Sequence, residues 1–129
     1  MQTEKLLQTN KNFKTTVLRF AGLIGDDRHP AKFLAGGENL ANPQAPINLI
    51  HQLDCIGIIL KIIEKDSWNE TFNAAAPNHP SREDYYTQKS LKWNLALPKF
   101  DHSIPSLGKT ILSTKIETIL NYTFTKTDL

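Results

Sequence analysis

An α/β fold is predicted for this chain by three observations. Short β-rich apolar runs alternate with segments of helical periodicity. The first run, residues 15–20, shows little polar alternation, the pattern of a strand buried on both faces. It leads into Ala21-Gly22-Leu23-Ile24-Gly25, a turn with two glycines, and then into Asp26-Asp27-Arg28-His29-Pro30. In an open parallel sheet, ligands bind beyond the carboxyl ends of the strands, so a strand that stops in a glycine-containing turn aims its backbone at a ligand.

The elements follow in order. Residues 2–9 read as the end of a helix, with Leu6 and Leu7 apolar and the rest polar; alone it is too short to be stable, so it reads as the tail of a longer one. Asn10-Lys11-Asn12 is a turn. Residues 30–35 form a short helix with Phe33 and Leu34 pointing inward, ended by Gly36-Gly37. Residues 36–47 are loop, broken by Pro43 and Pro46, and residues 47–50 are extended. Asp54 is placed to cap a helix over residues 55–65, with Ile56, Ile59, Leu60 and Ile63 at helical spacing. After a turn at 67–70, residues 71–75 form a second strand. Ser81 caps a helix over residues 82–93, with Asp84 at the capping-box position. Residues 95–105 are irregular, with Pro98 and Pro105. Residues 109–112 read as a third strand, and Ser113 caps a last helix over 114–120 whose Ile116, Ile119 and Leu120 share a face. Residues 122–124 close as an extended tail.

Composition narrows the function classes. A chain of 129 residues fits one domain and buries enough surface for a core. Its net charge is only +2, with acids and bases interspersed, which argues against nucleic-acid and anionic-membrane partners. The longest apolar run, residues 55–60, falls far short of a membrane span. Cys55 is the only cysteine and sits in an apolar run, so it reads as a buried, inert thiol. The first residues lack the apolar region of a secretory signal, and a cytoplasmic location is expected.

Several motifs share the order of one known family. Leu18-Arg19-Phe20-Ala21-Gly22-Leu23-Ile24-Gly25 is a strand and loop, and Arg28-His29-Pro30 leads into a short helix. Asn48-Leu49-Ile50-His51-Gln52-Leu53-Asp54 precedes the apolar helix, and Thr71-Phe72-Asn73-Ala74 is a strand. Pro80-Ser81-Arg82-Glu83-Asp84-Tyr85-Tyr86 opens a helix, and Gly108-Lys109 begins an ending that runs to Tyr122-Thr123-Phe124. In this order they resemble the C-terminal part of the extended, atypical short-chain dehydrogenases, the NAD(P)-dependent epimerase/dehydratase family. The resemblance implies the C-terminal portion of a Rossmann-type fold, with a sheet strand plus a small substrate-side α/β subdomain. Residues 1–29 are then a remnant of the nucleotide-binding domain, and residues 30–129 mainly the substrate-side subdomain and C-terminal elements of a single truncated domain.

The same resemblance implies an oxidoreductase or epimerase using NAD or NADP in the intact protein, with no cofactor bound by this chain alone. The family cradles the dinucleotide in an N-terminal Gly-rich turn, and this chain has no G-x-x-G-x-x-G. The family's proton transfer uses a Tyr-x-x-x-Lys pair on one helix face. Tyr85 and Lys89 have that spacing, but they follow the Leu18–Gly25 landmark that the family's pair precedes, so no catalytic residue is assigned and Tyr85 reads as a packed aromatic. Cofactor contacts are implied at Ala21, Gly22 and Leu23, and substrate contacts at Arg28, His29, Asn48 and His51. Each has a plainer alternative: a turn glycine with positive φ at Gly22, a solvated loop at Arg28 and His29, and local hydrogen bonding at His51. Arg19 reads as one half of an ion pair. Asn48, His51 and Asp54 do not amount to a metal site, since no third ligand lies nearby. Trp68, Trp93, His79 and His102 are assigned no chemistry. The expected partners are a small-molecule substrate in the intact protein and either a second copy or a missing N-terminal half. Two alternatives of other classes are an oligomeric binding module and one subunit of a split enzyme.

Overall fold

The computed structural model describes residues 2–129. The chain divides into two units, each assembled from segments distant in sequence. Unit 1 gathers the stretch up to Leu23, Leu49–Pro77 and Ile111–Leu129; unit 2 gathers Ile24–Asn48 and Asn78–Thr110.

In unit 1, α1 (Gln2–Gln8) leads to β1 (Val17–Phe20), which pairs in parallel with β4 (Thr71–Ala74), Val17 opposite Thr71 and Phe20 opposite Ala74. The ladder is extended at both ends, by Val17 N–H to Glu70 O at 2.8 Å and by Ala21 N–H to Ala74 O at 2.9 Å. A second small sheet joins β2 (Gly22–Ile24) to β3 (Leu49–His51). Between the paired strands run α3 (Gln52–Glu64) and, after β4, α5 (Thr114–Ile119). Residues of β3, α3, β4, α5 and the segment after α5 make one core: Ile50, Cys55, Ile58, Ile62, Phe72, Ala74, Ile116, Leu120 and Phe124. Phe72 is fully buried, a contribution of roughly 1.5–3 kcal/mol.

Four expectations for this unit are corrected. The segment after Phe20 is strand β2 rather than a turn, and Gly22 does not have positive φ; among the described glycines only Gly36 does, at 71°. Asp54 does not cap α3. His51 does, its Nδ1 accepting from Leu53 N–H at 3.1 Å, while Asp54 lies in the first turn and is completely buried. The buried face of α3 is Cys55, Ile58 and Ile62; Ile56, Ile59, Leu60 and Ile63 are exposed, along with Leu53. Finally, residues 109–112 form no strand, and the Ser113 hydroxyl caps no helix. It donates instead to Ala75 O at 2.6 Å and accepts from Ala75 N–H at 2.7 Å, tying the approach to α5 to the end of β4.

Unit 2 holds α2 (Ala31–Leu34) against α4 (Arg82–Lys92). Ser81 caps α4 as its sequence predicts, its Oγ accepting from Asp84 N–H at 3.2 Å. Isolated bridges join Pro46 to Ser81 and Leu40 to Phe100. The buried residues include Ile24, Ala31, Ile47, Tyr85 and Tyr86, together with Ser90. The inward residue of α2 is Ala31; Phe33, expected inward, is 77% exposed. Cys55 behaves as expected, its thiol buried and its pKa raised first by burial and then by the Asp54 charge.

Candidate functional site

The candidate site lies in unit 2, at the tight turn that follows β2. Gly25 and Arg28 close the turn with two backbone bonds, of 3.0 and 3.2 Å, leaving Asp26 and Asp27 at its tip. The turn delivers Arg28, exposed, and His29, half-buried, to one place. There Asp26, Arg28, His29, Lys32 and Trp93 line a cleft of about 290 Å³.

His29 is the organising residue. Its Nδ1 accepts from Ala31 N–H at 3.2 Å, at the start of α2. That bond requires a bare Nδ1, which places the proton of the neutral ring on Nε2. Nε2 lies 2.9 Å from Tyr85 Oη and so donates to it. The Tyr85 ring stacks on the imidazole at 5.9 Å, and the Trp93 ring meets it edge-on at 4.5 Å. Lys89 Nζ stands 5.6 Å over the Tyr85 ring, a cation–π contact. Burial pushes the His29 pKa down from 6.5 to about 4, helped by the charges of Lys89, Lys32 and Lys92. Protonation would also set a proton on Nδ1 against the Ala31 N–H.

A pH dependence follows. Above pH 6.5 the imidazole is neutral both folded and unfolded, so it contributes no slope. Between pH 6.5 and about 4 the unfolded chain takes up a proton that the folded ring refuses, and stability falls with pH across that window. Solvent screening at a half-buried ring reduces the loss to about 1–2 kcal/mol. Chemical denaturation of the chain and of His29→Gln at pH 7.5 and pH 4.5 checks this. The stability gap between the two proteins should narrow at the lower pH; a constant gap excludes His29 as the source.

The remaining sequence-derived candidates are placed as follows. Ala21, Gly22 and Leu23 lie in unit 1, where Ala21 continues the β1–β4 ladder and Gly22 and Leu23 are exposed in β2. Asn48 belongs to unit 2, and its side-chain amide donates to Lys109 O at 2.8 Å. His51, in unit 1, is buried and holds the start of α3. Of the candidates, the cleft therefore brings together Arg28 and His29. Arg19 forms its ion pair with Glu4, Nε to Oε2 at 3.0 Å. Sequence reasoning missed Lys32 and Trp93 as neighbours of His29. One signal was present: Tyr85, Lys89 and Trp93 recur every four residues, which sets them along one stripe of α4 and its C-cap.

The residues present do not fit a dinucleotide phosphate site. Such a site needs a glycine turn opening a helix N-terminus. Here Gly22 is inside a strand, and the next helix, α2, is four residues long and begins after Pro30. Among the described residues no group of three or more His, Cys, Asp or Glu side chains is placed to hold a metal ion. Among the same residues no helix is long and apolar enough to cross a membrane.

No protein-family model matches the chain. It is 36% identical over 101 residues to Protein YeeZ of Escherichia coli (strain K12), an alignment that takes in 78% of this chain. The chain thus spans about a third, 36%, of the length of that curated relative. Among solved structures, a functionally unknown conserved protein from Silicibacter pomeroyi superimposes with a TM-score of 0.77 at 19% identity, covering 94% of this chain and 48% of that one. The dTDP-glucose 4,6-dehydratase from Bacillus anthracis str. Ames, in complex with NAD, gives a TM-score of 0.74 at 12% identity, covering 96% of this chain and 44% of its own. The human epimerase family protein SDR39U1, with NADPH, gives 0.68 at 13% identity, covering 93% and 47%. These likenesses show the fold: the chain has the mixed α/β architecture of part of a Rossmann-type epimerase/dehydratase structure.

Proposed function

We propose that this chain supplies the C-terminal, substrate-side half of an NAD(P)-dependent epimerase/dehydratase-type cleft and does not transfer hydride by itself. One observation carries the reading. Solved epimerases and dehydratases take in nearly all of this chain, yet the chain covers less than half of each. The missing phosphate cradle and the placement of Tyr85 support the second part. Tyr85 is buried against His29 within unit 2, and in sequence it follows the Leu18–Gly25 segment that, by the resemblance, the family's proton-transferring tyrosine precedes.

In this reading the backbone of Ala21, Gly22 and Leu23 faces the nicotinamide end of a cofactor held mainly by the other half. Arg28 and His29 meet polar or anionic groups of a small-molecule substrate. Asn48 and His51 take part by holding backbone in place, since their side chains are engaged with Lys109 and with the start of α3. A nicotinamide cofactor, when bound by the intact protein, would supply the redox chemistry; this chain's residues bind and orient.

The exposed row Leu53, Ile56, Ile59, Leu60 and Ile63 on α3 favours a second reading, an associating module that buries this row against a second copy. One experiment tests both: titration of the chain with NADH and NADPH, with the mass of the titrated species followed by light scattering. The expected result is no affinity better than about millimolar. Micromolar affinity would overturn the first reading, and a monodisperse monomer at high concentration would overturn the second.

A further inference from the structure

Two features of unit 1 are left uncovered. The first is a strand edge. The sheet that contains β1 has two strands, and the one neighbour of β1 is β4. Val17 N–H donates to Glu70 O and Ala21 N–H to Ala74 O, so the backbone groups of residues 17, 19 and 21 face β4. Those of Leu18 and Phe20 point the other way, and among the described residues no strand meets them. The opposite edge of the sheet is treated differently. Lys115 Nζ donates to Thr71 O at 3.0 Å, and Ser113 Oγ engages both the N–H and the C=O of Ala75, at 2.7 and 2.6 Å. Side chains thus close the β4 edge, whereas the β1 edge is open, with Phe20 40% exposed along it.

The second feature is the outer face of α3. Leu53, Ile56, Leu60 and Ile63 recur at intervals of three, four and three residues, the spacing of a seam between two packed helices, with Ile59 beside it. All five are about half exposed, while Cys55, Ile58 and Ile62 face the core. A helix that is apolar on both sides is a buried helix.

One symmetry operation covers both features. Leu18 and Phe20 each present a donor and an acceptor, a set complementary to itself when two copies run antiparallel across a two-fold axis. Leu18 of one copy then exchanges bonds with Phe20 of the other, about four in all, and Arg19 meets its own copy at the axis. Repulsion there is small, because each guanidinium is already paired with Glu4, Nε to Oε2 at 3.0 Å. The same operation pairs the helices. Ile58 and Ile62 of α3 pack in one core with Phe72, and Leu18 packs against that core, so α3 covers this face of the sheet. With strands about 4.8 Å apart, helices seated over the two β1–β4 pairs stand about 10 Å from each other, the distance of packed helices. Edge and helix face together bury roughly 1,000 Å², near the lower limit for a specific interface, which suits micromolar association.

We propose that unit 1 joins a second copy of itself through the β1 edge, making a four-stranded sheet in the order β4-β1-β1-β4 with the two α3 helices antiparallel on one face. The proposal rests on the associating-module reading and names the surface that does the joining: the strand edge, with the α3 row beside it.

The test follows the mass of the chain by light scattering from about 5 to 500 µM. The mass should rise from that of one chain to twice that and stop. Phe20→Pro removes one edge donor and leaves the β4 ladder intact, because that N–H faces away from β4. Phe20→Lys keeps the donor and puts a charge on the edge. Each should weaken association by about tenfold or more, as should Leu60→Lys on the helix seam. Leu107→Lys replaces a more exposed leucine, in unit 2, and should change nothing. Amide exchange at Leu18 and Phe20 should slow by about tenfold or more between the dilute and the concentrated end of the range. A monodisperse monomer at about 500 µM would overturn the proposal together with the reading it rests on, and would leave the edge to a different polypeptide. A dimer weakened by Leu60→Lys but by neither Phe20 variant, with exchange at Leu18 and Phe20 unchanged, removes the edge and leaves the associating-module reading standing. Equal weakening by Leu107→Lys, or a mass that climbs past two chains, overturns the closed two-fold.

Discussion

Replacing Asp54 by alanine is expected to cost about 3–5 kcal/mol, enough to unfold a large fraction of the molecules in a marginally stable domain. Asp54 has no exposed surface and sits in the first turn of α3. Its Oδ1 accepts from Tyr122 Oη at 2.6 Å and from Thr125 N–H at 2.7 Å, and its Oδ2 from Lys126 N–H at 2.9 Å. One carboxylate thus fastens a segment about seventy residues later in the chain. Truncation to alanine leaves two backbone donors and a phenol without their acceptor, and unmade bonds to buried groups cost more than the bonds contribute. The phenol already feels the carboxylate: burial, and then the Asp54 bond and charge, push the Tyr122 pKa up to about 12. Asp54→Asn should cost less, because it keeps an oxygen for the two Oδ1 donors and loses only the Lys126 bond. Chemical denaturation gives the magnitudes, and amide exchange at Thr125 and Lys126 should quicken before the rest of unit 1. A loss below about 0.5 kcal/mol for Asp54→Ala would show that the tail is held by its apolar residues alone.

Gly57→Ala should destabilise by about 2 kcal/mol, although alanine in a helix interior ordinarily stabilises by about 1 kcal/mol over glycine. A Cβ at position 57 would stand 2.5 Å from Tyr122 Oη and 3.0 and 3.1 Å from its ring carbons. The ring is not free to swing away, since its hydroxyl is bonded to Asp54 and its face meets Phe124 edge-on at 5.5 Å. Displacing it overpacks the interface and breaks the Asp54 bond together. In a Tyr122→Phe background the hydroxyl clash is gone, and the remaining contacts yield by a few tenths of an ångström. Gly57→Ala should therefore cost clearly less there. Equal costs in the two backgrounds would show that residue 57 acts through something other than Tyr122.

The parts of the fold legible in the sequence are those decided locally. Ser81 and Asp84 announce the start of α4, and the β-rich runs around Leu18 and Phe72 announce the parallel pair. What failed depended on partners far along the chain. The apolar residues of α3 fit two faces equally well by spacing, and only Phe72, Ile116 and Leu120 decide that Ile58 and Ile62 are the inner ones. Asp54 has the composition of a cap, but its bonds go to Tyr122, Thr125 and Lys126, which no local pattern reveals. Residues 109–112 have strand-forming composition but form no strand. The site divides likewise. Arg28 and His29 stood out from their position after the strand, whereas the contact of His29 with Tyr85 spans 56 residues.

The interleaving of the two units bears on how the chain is made. The strand that β1 pairs with lies more than fifty residues later in the chain, and Phe124, which completes the same core, later still. Contacts that distant close slowly, because the intervening loop must be ordered first. Ile50, Ile58 and Phe72 therefore stay partly uncovered until Ile116, Leu120 and Phe124 are in place, and an unfinished core of that kind is open to chaperones and proteases.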